Sequence, residues 1–315
     1  MKITVLGAGA MGMLIGGCLS RRNDVWLLDV DAGRVEAIRR GGVTVREQDG
    51  TRNVFRPNAV TTCEGLPEMD LVILFVKSMY SEQALEANRA LIGPDTFLMT
   101  LQNGSGHEKT LLKFTDEDHT VIGSTQHNSS VISDGCVNHG GGGKTSIGLL
   151  TGATAPLEPL AENFTACGLE CSVSPDVKRQ IWNKLFLNTS ASSLTALFQA
   201  PLGFIYDDPH ARRMMHALAK EAVAVANADT GGAFDADAVI GSIETVLRNG
   251  RGGYTSIYAD LRDGRRSEVD TISGSVVDAA GRLGVPVPCH EMVVEAIHAM
   301  EDRASYRTED YEERK

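Results

Sequence analysis

The first half of the chain alternates short apolar runs with glycine-rich or polar breaks. Ile3 to Leu6 is a β-branched and aliphatic run, as expected of a strand buried on both faces of a parallel sheet. The segment MLIGGCLSRR that follows has the composition of a helix packed on such a sheet. DVWLLD, DLVILFVK (Asp70 to Lys77) and the start of TFLMTLQNGSG (Thr96 to Gly106) repeat the strand pattern. HGGGGKTSIG (His139 to Gly148) reads as a hairpin, because the position five before Lys144 is His139 and the glycine spacing of a phosphate loop is missing. From about Trp182 the period becomes helical. Helices are predicted near 176–200, 209–228, 235–249, 266–283 and 289–303, with Pro201, Pro209, Pro286 and Pro288 at boundaries. GGAFDAD and RNGRGGYTS read as loops, and the tail EDRASYRTEDYEERK as a charged, solvated or frayed end. The pattern predicts a doubly wound α/β domain over 1–172 and an all-helical domain over 173–315, linked between about 168 and 180.

Length and charge narrow the function classes. At 315 residues and 33.8 kDa the chain can hold two domains. A formal charge of -11 without basic patches excludes a nucleic-acid surface, and any anion site must be built locally. No apolar run reaches the ~20 residues of a membrane span. The opening MKITVLGAG leaves no room for a signal peptide, so a cytoplasmic protein is expected. Cys18, Cys63, Cys136, Cys167, Cys171 and Cys289 lack metal-like spacing and are expected to act as small core residues in a reducing compartment.

The break after the first strand carries candidate chemistry. Gly7, Ala8, Gly9, Ala10, Met11 and Gly12 form a G-x-G-x-x-G loop between strand and helix. Gly7 makes the tight turn, Gly9 lets backbone approach a pyrophosphate, and Gly12 allows close helix–strand packing. The helix N-terminus offers free N–H groups to the anion. Asp29 ends the second strand about twenty residues on, where a carboxylate accepts from the ribose hydroxyls of NAD and repels the 2′-phosphate of NADP. A turn or helix-capping role is the alternative for Asp29. Lys77 and Asn103 fall at the carboxyl ends of strands, where ligands gather in such sheets. These features predict a Rossmann domain that binds NAD(P)H, with NADH favoured by Asp29.

In IWNKLFLN (residues 181 to 188) an otherwise apolar run carries Lys184 and Asn188, with Ser192 four residues further. Positions i, i+4 and i+8 lie near one another along a helix face. A solvated stripe is one explanation; a polar wall of a binding cleft is the other.

With GAGAMG, FVKS, LQNGSG, WNKLFLN and TSIYADLRDGRRSEVD (Thr255 to Asp270) in this order, the chain resembles the ketopantoate reductase (2-dehydropantoate 2-reductase) family over nearly its whole length. The resemblance implies a fold similar to 6-phosphogluconate dehydrogenase, with the active site in the cleft between the two domains. It implies hydride transfer from NAD(P)H to the ketone of a 2-oxoacid, yielding D-pantoate for pantothenate synthesis. Lys184 matches the family's general acid, Asn188 a contact to substrate oxygens, and Ser256 a serine that binds the substrate carboxylate. Glu268 matches the glutamate near the substrate hydroxyl, and Lys77 and Asn103 flank the nicotinamide. A homodimer is compatible with the family.

Three positions depart from the family pattern. Ser192 and Gly253 stand where asparagines are usual, and Val30 where an arginine serves the 2′-phosphate. Smaller residues at 192 and 253 are expected to leave space for a bulkier substrate. An NADH-dependent D-2-hydroxyacid dehydrogenase acting on other branched or aromatic 2-oxoacids is therefore the alternative reading. A dinucleotide-binding sensor without catalysis is a third, against which stands the presence of both Lys184 and Glu268.

Overall fold

The apolar runs of the first half become strands because each can bury both of its faces. The computed structural model describes residues 1–232 and 234–303; most of the charged tail and Ala233 of the GGAFDAD loop lie outside them. The strands are β1 (Lys2–Leu6), β2 (Asp24–Leu28), β3 (Val43–Arg46), β4 (Arg52–Phe55), β5 (Asn58–Val60) and β6 (Leu71–Leu74). They continue with β7 (Phe97–Thr100), β8 (Thr120–Thr125), β9 (Asn128–Ser133), β10 (Cys136–Gly141), β11 (Thr145–Leu149) and β12 (Cys171–Val173).

An eight-stranded sheet runs in the order β12-β11-β8-β7-β6-β1-β2-β5, parallel throughout except where β11 pairs with β8. Alternate residues feed two cores. Ile3, Val5, Leu71, Ile73 and Met99 pack on one face with the helix Ala10–Leu19, while Leu6, Val72, Leu74 and Leu98 pack on the other. Two buried faces leave no place for polar alternation, which is why these strands read as continuous apolar runs. The connection order reverses at β1, which lies between β2 and β6. That switch point is where open α/β sheets hold ligands.

A second sheet, β4-β3-β10-β9, corrects the expected hairpin. β10 pairs with β3 and β9, whereas β11 pairs with β8 and β12, so the glycines around 141–143 carry the chain from one sheet to the other. His139 belongs to the small sheet. Its Nδ1 lies 2.7 Å from Glu47 Oε2 and its Nε2 lies 3.0 Å from His127 Nδ1.

The chain divides into one unit of Met1–Gln102 with Gly106–Gln180, and a second of Asn103–Ser105 with Ile181 onward. The boundary expected between 172 and 173 falls inside β12, which pairs with β11 and so still belongs to the sheet.

The second unit is helical. Val177–Leu187 runs into a π-helical turn, Asn188–Ser192, and continues as Ser193–Phe198, so the single helix expected over 176–200 is interrupted. Pro209–Thr230, Ala236–Asn249, Val269–Leu283 and Pro288–Arg303 follow near their predicted positions. Leu202–Asp207 and Ser256–Arg262 are short helices that the pattern did not predict, each little more than a turn and a half. No helix among the described residues is long and apolar enough to cross a membrane.

The core of this unit contains a polar seam beside its apolar residues. His290 is fully buried. Its Nδ1 lies 2.8 Å from Glu221 Oε2, and its Nε2 lies 2.9 Å from Thr189 Oγ1 within the π turn. Thr189 donates to Ser273 Oγ (3.1 Å), which also pairs with Ser193 Oγ (2.7 Å). Glu221 further accepts the N–H groups of Cys289 and His290 at 3.0 Å each, at the start of the last helix. Burial raises the Glu221 carboxyl, and the hydrogen bonds from His290 and Cys289 outweigh it and hold the group below its ordinary value. Each buried polar atom in this seam has a partner, the condition under which such a network stabilises. His290→Leu puts an apolar group of similar volume in its place and strips Glu221 and Thr189 of that partner. It is expected to lower stability by about 2–3 kcal/mol, read as a reduced urea midpoint at unchanged slope.

Candidate active site

In the first unit the glycine loop has the shape that the sequence suggests. Gly7 sits at φ +99, a conformation that side chains rarely adopt, and its N–H donates to Leu28 O at 2.8 Å. A Cβ on Gly12 would fall on the Gly7 carbonyl oxygen, so only glycine lets the helix Ala10–Leu19 start this close to β1. Ala8 is fully buried, while Ala10 and Met11 open that helix and are half-buried. A Cβ on Gly9 would meet no heavy atom within 4 Å. The loop therefore presents backbone to open space at one point and is closely packed on either side, which fits a dinucleotide pyrophosphate.

Asp29 is tied into this loop. Its Oδ2 accepts the Ala8 N–H at 2.7 Å and Arg34 Nη1 at 3.3 Å, and its Oδ1 accepts the Asp31 N–H at 2.9 Å. The turn role is thus present. Oδ2 carries two hydrogen bonds already, and Oδ1 keeps one acceptor position for a ribose hydroxyl. Val30, the next residue, is 92% exposed and brings no charge.

Sequence reading passed over Gln102, which is buried between the exits of β6 and β7. Its Nε2 donates to Val76 O at 2.6 Å and to Ser81 Oγ at 2.9 Å, and its Oε1 accepts from Thr100 Oγ1 at 2.8 Å. It fixes the backbone just before Lys77, which is half-buried. The only signal available was its place in LQNGSG, where Asn103 drew the attention. Asn103 is half-buried and clusters with the helical unit, where Ser105 N–H donates to Thr271 O at 3.0 Å.

In the second unit Lys184 projects from a helix whose other residues Trp182, Leu185 and Phe186 are buried. Trp182 Nε1 donates to Asp229 Oδ2 at 3.0 Å, which anchors that face. Desolvation lowers the Lys184 ammonium to about 8, and the negative charge of Glu268 acts in the opposite direction. Glu268 is half-buried at the N-cap of the helix Val269–Leu283. The structure thus brings Lys184 and Glu268 within electrostatic reach of each other.

The π turn bears on Asn188 and Ser192. Over eight residues an uninterrupted α-helix drifts by ~80° from its starting face. The wider turn from Asn188 to Ser192 advances less per residue and returns Ser192 toward the line of Lys184 and Asn188. Asn188 is half-buried and Ser192 is 7% exposed. The Ser192 carbonyl accepts the Thr195 hydroxyl at 2.8 Å, and Thr255 Oγ1, 3.4 Å from that carbonyl, pairs with Thr195 Oγ1 at 2.8 Å. Thr255 caps the helix Ser256–Arg262 through Tyr258 N–H, leaving Ser256 exposed on its first turn. Gly253 lies close to the start of a short helix. A Cβ there would meet Gly250 O at 3.0 Å and Leu202 Cδ1 at 3.2 Å, so its absence relieves crowding beside the helix Leu202–Asp207. Among the described residues no group of three or more His, Cys, Asp and Glu could hold a metal ion.

The family model "Ketopantoate reductase PanE/ApbA" matches residues 3–152, and its C-terminal counterpart matches residues 176–301. The 2-dehydropantoate 2-reductase of Halobacterium salinarum is 31% identical over 291 residues, covering 91% of this chain and 95% of that protein. The enzyme of the same name from Pyrococcus horikoshii is 29% identical and covers 96% and 98%. Among solved structures, D-mandelate dehydrogenase with NADH and anilino(oxo)acetate superposes with a TM-score of 0.90 at 28% identity, covering 98% of this chain and 100% of that one. The 2-dehydropantoate 2-reductase of Geobacter metallireducens superposes with a TM-score of 0.89 at 28% identity, covering 95% and 99%. With both halves matched and more than 30% identity to a relative across nine-tenths of its length, the chain belongs to the ketopantoate reductase family.

Proposed function

We propose that this protein reduces the ketone of a 2-oxoacid to a 2-hydroxyacid with a nicotinamide dinucleotide, ketopantoate being the first substrate to consider. The observation that carries the reading is Lys184, an ammonium brought to about 8 by desolvation and facing the charge of Glu268. The reduced nicotinamide supplies hydride to the carbonyl carbon. Negative charge then builds on the carbonyl oxygen, and Lys184 stabilises it and delivers the proton. Glu268 holds Lys184 charged until that moment. Asn188 and Ser192 contact substrate oxygens, Ser256 receives the carboxylate, and Lys77 and Asn103 flank the nicotinamide. Gly7 to Gly12 hold the pyrophosphate, and Asp29 the adenosine ribose. NADH is the favoured dinucleotide, since Asp29 stands where a 2′-phosphate would be repelled and Val30 supplies no cation.

A second reading, a D-2-hydroxyacid dehydrogenase acting on branched or aromatic 2-oxoacids, is favoured by two observations. One is the uncharged Val30 beside Asp29. The other is the close superposition on D-mandelate dehydrogenase with NADH.

Lys184→Ala is expected to cut kcat by about 10²–10⁴-fold with an unchanged circular dichroism spectrum; full turnover in that variant would refute the mechanism. The acid form of Lys184 is the active one, so kcat/KM for reduction is expected to be flat below about 8 and to fall above it. Glu268→Gln removes the charge that raises the lysine, and the fall then moves to lower pH; a shift to higher pH contradicts the pairing. Substrate choice is settled by kcat/KM with NADH across ketopantoate and a panel of branched and aromatic 2-oxoacids. Ketopantoate in first place supports the first reading, and an aromatic oxoacid at least tenfold ahead supports the second.

A further inference from the structure

Arg34 is surrounded by acids. Its guanidinium meets Asp29 through Nη1 (3.3 Å), Asp31 through Nη2 (3.6 Å) and Asp134 through Nε (3.4 Å). The arginine is 24% exposed, and each of its three nitrogens lies within ion-pair distance of a different carboxylate; only the Nη1 contact to Asp29 is a hydrogen bond, and Nε, nearest Asp134, has no hydrogen-bond partner. Two of the acids are neighbours in sequence. Asp29 directly follows β2, and Asp31 caps the helix Ala32–Gly41 by accepting the Arg34 N–H. The third comes from far along the chain, in the turn between β9 and β10 of the small sheet. That turn is pinned: Gly135 takes φ +72, and its carbonyl accepts the Thr44 N–H at 2.8 Å. Asp134 is therefore held by the fold of another sheet against a residue beside the glycine loop.

We infer that Asp134 is a specificity-determining residue for the dinucleotide, acting by holding Arg34 inside the carboxylate cage. The inference rests on the dinucleotide reading proposed above and extends it to a residue outside the nucleotide fingerprint. Arg34 is the cation nearest in sequence to Asp29 that could serve a 2′-phosphate, because Val30 carries none. While three carboxylates engage its guanidinium, the adenosine end of the loop carries an excess of negative charge. An incoming phosphate would have to draw the arginine away from them. A guanidinium is suited to bidentate phosphate contact once its donors are released. Removing the Asp134 charge takes away the carboxylate nearest Nε and leaves Arg34 paired only with acids of its own segment. It can then turn toward the phosphate.

The test uses the full chain with Asp134→Asn, which keeps the turn-forming side chain while removing its charge, together with Arg34→Ala and the double variant. Dissociation constants for NADH and NADPH are measured by the fluorescence of the reduced nicotinamide, and melting temperatures are recorded alongside. Wild type is expected to prefer NADH. Asp134→Asn is expected to tighten NADPH about three- to fivefold, the scale of an exposed ion pair, with NADH changed less than twofold. In the Arg34→Ala background the same substitution is expected to leave NADPH binding unchanged. Unaltered NADPH affinity in Asp134→Asn overturns the inference. So does a gain that persists without Arg34, which would be simple removal of negative charge. A lowered melting temperature with an unmoved NADPH-to-NADH ratio makes Asp134 a structural tie only, and also overturns it. Wild type that binds neither dinucleotide defeats the reading beneath, a distinct result from a failed shift in an NADH-binding protein.

Discussion

The first unit turns on one carboxylate. Asp29 accepts a hydrogen bond from the glycine loop, another from its own turn, and an ion pair from Arg34. The loop can make this contact because Gly7 adopts a conformation open to glycine and Gly12 carries no Cβ to strike the Gly7 carbonyl. The parallel sheet sets the distance, since β1 and β2 are neighbours in register from Lys2–Asp24 to Leu6–Leu28. Asp29, the residue that follows β2, is then level with Gly7, the residue that follows β1. Its side chain reaches Ala8 without any displacement of backbone. The shape of the pyrophosphate site and the charge at its adenosine end are therefore two consequences of the same strand pairing.

The second unit solves a different problem, holding a cation in a place that opposes it. Lys184 is attached to a helix whose neighbouring residues are core, so part of its hydration is lost on folding. The sign of the effect on stability follows. The folded state disfavours the charged ammonium, and the lysine falls from 10.5 to about 8. Below about pH 8 both folded and unfolded chains hold the proton, and the full cost is present. Between there and the unfolded value the unfolded chain binds more protons, so stability rises with pH. A fold selected only for stability would place an apolar residue here. Glu268 offsets part of the cost from the N-cap of a separate helix, which couples the position of Val269–Leu283 to the protonation of Lys184.

Much of this was legible in the amino-acid sequence, for reasons that differ by residue. The strands of the doubly wound sheet could be read because burial on both faces removes the polar alternation that would otherwise blur them. Gly7, Gly9 and Gly12 could be read because backbone approach to an anion demands them at fixed spacing between strand and helix. The hairpin expected at His139 to Gly148 failed because strand pairing is non-local. Val137 pairs with Val45 and Ile147 with Gly123 and Val173, none of which is encoded in the glycine run between them. Gln102 was missed for the same reason, since its partners Val76 and Ser81 lie more than twenty residues away. Asp134 gave no signal at all, as an Asp-Gly pair in a turn is ordinary until the arginine it faces is known.

The π turn is the feature where local pattern and tertiary packing separate most clearly. IWNKLFLN and the residues after it fit an uninterrupted helix by spacing, and nothing in their propensities forbids one. The widening is held from outside the segment. Thr189 is gripped by His290 and Ser273, and the Ser192 carbonyl accepts the hydroxyl of Thr195 and has that of Thr255 within 3.4 Å. Apart from Thr195, which belongs to the segment's own continuation, these partners come from the helices Val269–Leu283 and Pro288–Arg303 and from the cap of Ser256–Arg262. The hydroxyl-rich composition of this seam then has a physical account: buried hydroxyls on the turn and on the helices around it supply one another with hydrogen-bond partners. In return the polar residues of the stripe, Lys184, Asn188 and Ser192, stay on one line along the segment. The alignment that the sequence pattern suggested is kept by a distortion that the pattern does not contain.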